Sequence, residues 1–347
     1  MALADRPTLS DVAREAGVSV MTVSNVVNGR ASVGAELRER VLATIRRLGY
    51  RPQQHARGLR LSRSWVVGML FVMHKPDILT LPWVGAMLSG MSNAFSESGY
   101  GLLVDTQSPE TLDRSVLLKW RHADGIIAML SGTPQERAKI WDRFAPGQPV
   151  VGIQETLAMR KYGDFASVGQ DDHGAALEIL QLLLRAGARR IRFIEPDYSW
   201  PNMAERSRAG RETMAATRGV EFSVLRCASD NYRAVEEQVR ADLQLRGKPD
   251  AYMAGNEAIA LATLEILQNQ GLKVPDDVMV TSFNAFDVWN YVRRPVTTVH
   301  FPADAIGAKA AELMLERLAQ GKFPQRKFVF AGELRVGDTT RLRVGKQ

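Results

Sequence analysis

Residues 8–29 read TLSDVAREAGVSVMTVSNVVNG, and this stretch decides the fold of the amino-terminal region. Thr8 and Asp11 stand three residues apart, in a capping-box arrangement that predicts the start of a helix. Gly17 supplies the left-handed conformation that ends it. Between them, apolar side chains recur at the spacing i, i+3, i+4 and i+7 of one amphipathic helix face: Leu9, Val12, Ala13 and Ala16.

Two further short helices follow the first. Ser19 caps a predicted second helix from Val20 to about Asn28, and Gly29 ends it. Only Gly-Val-Ser separates the first two helices, so they must cross steeply, as in a helix-turn-helix. A third helix ends at Gly49, and its apolar face consists of Leu37, Val41, Ile45 and Leu48. The three helices predict a small core of roughly fifty residues, which is a marginal size for a single domain.

The formal net charge of +7 is concentrated at the amino-terminal end. Residues 1–64 contain eleven arginines, no lysine and five acidic residues, so they carry +6 of this charge. A short basic segment on a nearly neutral remainder indicates a polyanionic partner. Nucleic acid is favoured over an anionic membrane, because the segment contains no basic amphipathic helix. A solvated basic surface without such a partner is the other interpretation.

The motif at 8–29 resembles the head of the lactose/galactose repressor (LacI/GalR) family of transcriptional regulators. The resemblance continues in Arg-Arg-Leu-Gly-Tyr-Arg-Pro at 46–52 and Ala-Arg-Gly-Leu at 56–59, and it extends to Gly-Glu-Leu at 332–334. It implies a regulator, expected to be a repressor, that binds double-stranded operator DNA as a homodimer. It also implies that a small-molecule effector controls the affinity for DNA, by induction or by corepression.

The second helix of such a head places its first residues against base edges in the major groove. Val20 and Met21 cannot donate hydrogen bonds, so we expect them to contact thymine methyl groups or to read shape, whereas Asn25 can pair with adenine. Many relatives carry polar residues at the first two positions and an arginine at the third, so this sequence departs from the family at all three. An alternative role for Val20 is core packing with Val23 and Val27, which share its helix face.

The other predicted DNA contacts are short polar side chains, a tyrosine and two hinge residues. The complete predicted set is Thr8, Ser19, Val20, Met21, Thr22, Ser24, Asn25, Asn28, Tyr50, Ala56 and Leu59. Short polar groups near helix ends hold phosphates, although helix capping is the alternative for Ser19. The resemblance implies that the hinge folds into a short helix only when it pairs on DNA with the hinge of the other subunit of the dimer. There Leu59 inserts between base pairs in the minor groove. A simple linker is the alternative.

The remaining chain alternates predicted strands and helices. The strands begin with an apolar run at 65–73 and continue at 101–104, 124–129, 149–153, 190–194, 221–225, 251–254 and 278–283. The helices are predicted at 84–98, 112–121, 174–185, 205–217, 232–245 and 259–269. This alternation predicts an α/β fold with doubly wound parallel sheets, and the number of strands requires two sheets. The resemblance implies that they form a bilobed, periplasmic-binding-protein-like body.

Three regions follow from this organisation. We expect residues 1–52 to form the helix-turn-helix head, and the resemblance implies that 53–64 form the hinge helix and linker and 65–347 the body that binds effector and dimerises. We expect the amino-terminal lobe to comprise about 65–165 and 295–328, and the carboxy-terminal lobe about 166–294 and 329–347. The tail after Leu334 carries no leucine heptad, which argues against a tetramerising coiled coil.

The effector site is expected between the lobes, because ligands of open α/β sheets bind beyond the carboxyl ends of the strands. The family pattern at these ends gives the predicted set: Trp83, Asp171, Arg206, Tyr232, Asn256 and Asn284. The family's usual arginine falls at Ser207, so Arg206 or Arg208 substitutes for it if the loop shifts register. Asn284 stands in Ser-Phe-Asn-Ala, where relatives have Gly-Phe-Asp-Asp. The expected effector is a sugar or a sugar acid, and turn or cap roles are the alternative for these residues.

Other classes of function find little support in the sequence. The longest apolar run has nine residues, fewer than the ~20 of a membrane-spanning helix, and no secretory leader is visible, so we expect no membrane partner and a cytoplasmic location. Cys227 stands alone and five scattered histidines lack metal-ligand spacing. No dinucleotide, phosphate-loop or zinc-protease motif occurs, so neither an enzyme nor a cofactor is predicted. The alternatives are a solute-binding protein or receptor with the same body, and a nucleoid protein.

Overall fold

The structure, a computed structural model, describes residues 7–27, 33–50, 63–74, 79, 81–119, 123–157, 162–284 and 294–341. The chain divides into two compact units, Met1–Ser64 and Trp65–Gln347, which we call the head and the body. The predicted DNA contacts Asn28, Ala56 and Leu59 lie outside the described residues, as does most of the predicted hinge.

The head contains the three predicted helices, α1 (Leu9–Ala16), α2 (Val20–Val27) and α3 (Ala35–Leu48). Both halves of the capping box are present: the Asp11 amide donates to Thr8 Oγ1 over 3.3 Å, and the Thr8 amide donates to Asp11 Oδ2 over 2.9 Å. Gly17 ends α1 with a φ of 64°, and Gly49 ends α3 with a φ of 63°. Other residues adopt such angles only with strain, so these glycines end the helices as predicted.

A small apolar core lies between the helices of the head. Val20 is outside this core, with 44% of its surface exposed, so the packing alternative for Val20 is wrong. Tyr50 is inside it, 7% exposed, and burial raises the pKa of its hydroxyl. Tyr50 therefore stabilises the head by packing, and its contact with DNA stays a prediction. The buried residues of the core are Val12, Ala13, Ala16, Val23, Val26, Val41 and Tyr50.

Six strands form the sheet of the first lobe of the body. They are β1 (Val66–Val72), β2 (Gly101–Gln107), β3 (Gly125–Leu130), β4 (Val150–Ile153), β5 (Phe165–Gln170) and β11 (Lys327–Phe330). Their order is β11-β5-β4-β3-β1-β2, and every neighbouring pair is parallel. The central strands β1, β3 and β4 are buried along nearly their whole length, as parallel strands covered on both faces must be.

The second lobe repeats this arrangement. Its strands are β6 (Arg190–Pro196), β7 (Glu221–Cys227), β8 (Ala251–Ala254), β9 (Met279–Phe283), β10 (Thr297–His300) and β12 (Glu333–Arg335). The order is β12-β10-β9-β8-β6-β7, and only β12 is antiparallel to its neighbour among these pairs. Two sheets of the same strand order confirm the predicted α/β class and its two doubly wound halves.

Helices cover both sheets. They are α4 (Pro82–Glu97), α5 (Val116–Lys119), α6 (Pro134–Trp141), α7 (Asp172–Arg185), α8 (Pro201–Ala216), α9 (Tyr232–Arg246), α10 (Glu257–Asn269) and α11 (Ala303–Gln320). The helix predicted at 112–121 is instead a 3₁₀ turn at Leu112–Arg114 followed by the short α5. Two glycines let α4 and α11 approach closely, because a Cβ on Gly90 would lie 2.0 Å from the Asp304 carbonyl oxygen and one on Gly307 would lie 1.9 Å from that of Met87. Within the described ranges, no helix has the length and apolarity to cross a bilayer.

The chain passes between the two sheets at points that differ from the predicted lobe boundaries. β5 pairs with β4 in the first sheet, although the second lobe was expected to begin at 166. β10 pairs with β9 in the second sheet, although the first lobe was expected to resume at 295. The crossings therefore follow β5, β10 and β11. The physical reason is that a strand belongs to the sheet with whose strands it forms hydrogen bonds. Since β5 pairs with β4 and β10 pairs with β9, each lobe extends to the end of these strands.

Candidate functional site

The start of α2 presents the predicted DNA-reading surface of the head. Met21 is 61% exposed and Val20 is 44% exposed, a large apolar exposure for two adjacent residues. Asn25 is half-buried and lies one helical turn after Met21, so the two side chains share a helix face. A groove of B-DNA that received the start of α2 would meet the methyl groups of Val20 and Met21 and the amide of Asn25.

Two of the predicted phosphate contacts also serve helix caps. Ser19 Oγ accepts a hydrogen bond from the Thr22 amide over 3.1 Å and lies 2.9 Å from Thr22 Oγ1. Thr8 Oγ1 donates to Asp11 Oδ2 over 2.7 Å. The hydrogen bonds and Arg14 hold the pKa of the Asp11 carboxyl below its usual value. The capping alternative for Ser19 is therefore confirmed, and its contact with phosphate stays a prediction.

The interlobe cleft is the region between the carboxyl ends of the strands of the two lobes. Arg206, on α8 of the second lobe, is fully buried there. Its Nε and Nη2 donate to Asp172 Oδ1 over 2.9 and 2.5 Å, and its Nη1 donates to the Gly255 carbonyl over 2.5 Å. Its guanidinium carbon lies 4.0 Å from the centre of the Phe283 ring, in cation–π geometry. The family-based choice of Arg206 thus falls on a buried arginine whose charge is balanced.

Gln170 connects the Arg206–Asp172 ion pair to the first lobe. Its Nε2, at the end of β5, donates to Asp172 Oδ1 over 2.9 Å and to Asn284 Oδ1 over 3.4 Å. Asn284 follows β9, is buried, and has a φ of 58°. Burial raises the pKa of Asp172, and the Arg206 guanidinium opposes that shift. The network brings together two of the predicted residues, Arg206 and Asn284, through two that the sequence did not identify.

The remaining polar predictions have local roles. Asp171 is exposed and accepts from the Gly174 amide over 2.9 Å, so it caps α7. Asn256 Oδ1 accepts from the Ile259 amide over 2.9 Å, so it caps α10, while its Nδ2 donates to Asp230 over 3.2 Å. Tyr232 is 36% exposed at the start of α9. The cap alternative is confirmed for Asp171 and Asn256, and their contacts with an effector stay predictions.

A buried tryptophan stands at a helix start after a strand in each lobe. Trp83 is in the first turn of α4 and is 7% exposed, with its indole Nε1 buried. Trp200 precedes α8, is 9% exposed, and contacts Tyr198 edge to face at a centroid distance of 6.2 Å. The sequence contained a signal for Trp200, because it adjoins Pro201 at a helix start after a strand, as Trp83 adjoins Pro82.

Three buried polar atoms near the cleft have no hydrogen-bond partner among the described residues. They are Trp83 Nε1, Gln154 Oε1 and Gln170 Oε1. Gln154 directly follows β4 with a φ of 55°, and Gln170 ends the neighbouring β5. A buried polar group without a partner costs free energy, so such atoms commonly meet a ligand or solvent. One donor and two acceptors of this kind suit a ligand that carries hydroxyl groups. In the described part of the chain, no group of three or more His, Cys, Asp or Glu could hold a metal.

Two family models match the chain. The model for "Bacterial regulatory proteins, lacI family" matches residues 8–53. The model for a "Periplasmic binding protein-like domain" matches residues 180–340. The first match contains all three helices of the head, and the second runs from α7 through β12, so it includes most of the second lobe.

Relatives of known role match along nearly the whole chain. The HTH-type transcriptional repressor PurR of Vibrio campbellii is 26% identical, with 96% of this chain and 98% of the relative covered. The solved complex of the transcriptional regulator CelR with cellobiose is 26% identical with a TM-score of 0.68, covering 96% of this chain and 100% of that one. The Lac repressor dimer bound to operator and the anti-inducer ONPF has a TM-score of 0.83, covering 96% and 99%. Its identity of 20% shows a shared fold alone.

Proposed function

We propose that this chain, which belongs to the lacI family of bacterial regulatory proteins and is a DNA-binding transcriptional regulator, acts as a homodimeric repressor. In this proposal a small molecule bound between the two lobes controls its binding to DNA. The observation that carries the proposal is the combination of two features in one chain. The head exposes Val20 and Met21 at the start of α2, the proposed DNA-recognition helix. The body buries a polar network, centred on Arg206, where its lobes meet. A solute-binding protein would use only the second feature.

In this proposal the head reads DNA by apolar contact and by one amide. Val20 and Met21 contact thymine methyl groups, and Asn25 pairs with adenine. Ser19, Thr22 and Ser24 contact phosphates, which fix the register of the helix in the groove without reading sequence. Two heads of a dimer then select a pseudo-palindromic operator.

The effector acts through lobe closure. A ligand held by groups from both lobes favours the arrangement in which those groups meet, and it shifts that population by its difference in affinity for the two arrangements. Trp83 of the first lobe and Arg206, Asn256 and Asn284 of the second are the proposed contacts. The coupling is reciprocal, so operator DNA must change the effector affinity by the same factor.

An uncharged sugar is favoured over a sugar acid. Arg206 is already neutralised by Asp172, and a second buried arginine at the strand ends, Arg137, is neutralised by Glu155. Within three residues after the strands, the described residues include no lysine or arginine, but they include carboxylates: Glu110, Asp171, Asp197, Asp230 and Glu257. These carboxylates disfavour an anionic ligand. Sugar hydroxyls can instead donate to the two glutamine oxygens, and the related CelR was solved with cellobiose.

The proposal is tested by selecting duplexes from a random pool with the full-length protein, and then titrating ligands against the selected complex. Ligands are used in matched sets, each an aldose with its aldonic acid and its phosphate. We expect a neutral sugar to change the operator affinity at least tenfold, while its two anionic counterparts do not. The absence of any preference for one duplex over scrambled DNA contradicts the regulator. A stronger response to an anion contradicts only the choice of effector class.

A further inference from the structure

A backbone hydrogen bond joins the two lobes away from the crossings between them. The Gly132 amide, just after β3 of the first lobe, donates to the Ser199 carbonyl, just after β6 of the second lobe, over 2.7 Å. The chain leaves the first sheet from β5 and β11, and β3 lies two strands from β5, about 10 Å at the usual strand spacing. A contact so far from the crossings breaks when the lobes separate, so it is a marker of the closed arrangement.

Gly132 is held in position for this bond by its own lobe. It has a φ of 109°, which favours glycine. A Cβ at this position would lie 2.9 Å from Glu136 Oε2 and 3.1 Å from His74 Cε1. The Gly132 carbonyl accepts a hydrogen bond from Arg137 Nη1 over 2.6 Å. The peptide units around Gly132 are therefore tied to Arg137 on one side and to the second lobe on the other.

Arg137 is in turn fixed by Glu155. Arg137 is 3% exposed, and its Nε and Nη2 both donate to the Glu155 carboxylate over 3.2 to 3.3 Å. Glu155 also accepts from Trp141 Nε1 over 2.7 Å and from the amides of Thr156 and Leu157 over 2.8 Å each. A buried carboxylate with so many donors is held in one orientation. The cluster therefore gives Arg137 a fixed position under the Gly132 carbonyl.

We propose that Arg137 and Glu155 are positioning residues that hold the Gly132 loop, residues 131–133 between β3 and α6, against the second lobe. They thereby set the fraction of molecules with a closed cleft. They act through the Gly132 carbonyl and need no contact with an effector. The consequence for regulation rests on the proposed function, since the closed fraction changes DNA binding only if an effector and the operator distinguish the two arrangements.

The second lobe provides a matched control. Arg192 is also 3% exposed, and it pairs with the buried Asp242. Arg192 Nη1 donates to the Gly247 carbonyl over 2.9 Å, and the Tyr252 hydroxyl donates to Asp242 over 2.8 Å. All of these partners belong to the second lobe. Loss of Arg192 therefore removes a comparable buried ion pair without touching the bond between the lobes.

The test is amide hydrogen exchange of the full-length protein without DNA, resolved at the Gly132 amide. We expect Arg137→Met to raise the exchange rate of this amide at least tenfold. We expect Glu155→Gln to raise it by a smaller factor, because the amide keeps one acceptor oxygen for Arg137. Arg192→Met should leave it within twofold of the wild-type rate. An unchanged rate in both first-lobe variants overturns the positioning role, and so does an equal increase in Arg192→Met, which would report general destabilisation.

Operator binding separates this inference from the proposed function. On a duplex selected from the random pool, we expect Arg137→Met to change the affinity at least threefold and Arg192→Met to leave it unchanged. If exchange responds as expected but the affinity of Arg137→Met equals that of the wild type, the regulatory consequence is overturned. If the wild type prefers no duplex at all while exchange responds, the proposed function fails and the positioning role of Arg137 stands.

Discussion

The head and the interlobe cleft present opposite kinds of surface to their proposed partners. At the start of α2, the apolar Val20 and Met21 are exposed, whereas at the strand ends of the body the polar Gln170, Asp172 and Arg206 are buried. A DNA groove supplies methyl groups and base edges to an exposed helix, but a small molecule has to be enclosed before it makes enough contacts. The exposed surface is therefore separable from the fold that carries it, and the enclosed one is not.

This difference has an energetic consequence for mutagenesis. Substitutions at exposed positions away from caps and cores usually change stability by less than about 0.5 kcal/mol. Removing one partner of a buried ion pair commonly costs about 3–5 kcal/mol, because the other charge stays buried and uncompensated. In the cleft, loss of binding and loss of stability should occur together; in α2, binding should be lost alone.

The largest effect is expected from Arg206→Met, which leaves Asp172 buried without its cation. We expect the free energy of unfolding to fall by about 3–5 kcal/mol at neutral pH, measured by urea denaturation. Arg208→Met is the control, because Arg208 is two positions away and its pairs with Glu205 and Glu212 are partly exposed. Exposed pairs of this kind contribute about 0–1 kcal/mol. Equal losses in the two variants would contradict the role assigned to the buried pair.

The cost of Arg206→Met should also depend on pH. Burial raises the pKa of Asp172, and the variant lacks the positive charge that opposes this shift. A carboxyl whose pKa is higher in the folded state stabilises the protein below its unfolded pKa, and that contribution is lost as the pH rises through the folded pKa. The variant should therefore approach the wild type in stability as the pH falls below neutral. Each pKa unit between the two states is worth about 1.4 kcal/mol.

Adding Asp172→Asn to the Arg206→Met variant provides the control for this pH dependence. The double variant has no titrating carboxyl at this position, so the difference in unfolding free energy between it and Asp172→Asn alone should not vary with pH through this site. The same pH dependence in the single and double variants would assign the titration to another group.

In the head, Asn25→Ala should reduce specificity and leave the fold intact. If Asn25 pairs with adenine, its loss should weaken binding to the preferred duplex by about 1–3 kcal/mol and relax selection at one base position. Binding to a panel of duplexes that differ at single positions measures both quantities. A uniform loss over the whole panel would instead make Asn25 a phosphate contact.

The sequence predicted the head better than the cleft, because the two depend on contacts of different range. The capping box of Thr8 and Asp11 and the terminating Gly17 are set within a few residues, and all three were predicted. Asp172 was missed because its role comes from Arg206, which is 34 residues away in the chain. The lobe boundaries were misplaced for the same reason, since β5 and β10 are assigned by pairing with other strands.

Exposure was the other property that the sequence alone left undecided. Helix spacing permitted Val20 either to join Val23 in the core or to face outward, and only the packing of α1 and α3 against α2 settles this. Gln154 and Gln170 are the opposite case, because they are polar residues that the fold buries. Their polar side chains gave no reason to expect burial, and the structure buries both at the ends of neighbouring strands, where Gln170 also contacts Asn284 of the second lobe.

The smallest effect is expected from Met21→Ala, which tests whether an exposed apolar side chain reads a thymine methyl group. We expect the variant to bind the preferred duplex about 1 kcal/mol more weakly, the order of one or two buried methylene groups, with unchanged unfolding in urea. Replacing the contacted thymine by uracil removes the same contact from the DNA side. In a double-mutant cycle, uracil should therefore weaken the wild type and have no further effect on Met21→Ala. If uracil weakens both proteins equally, Met21 does not contact that methyl group, and the head reads this position by shape.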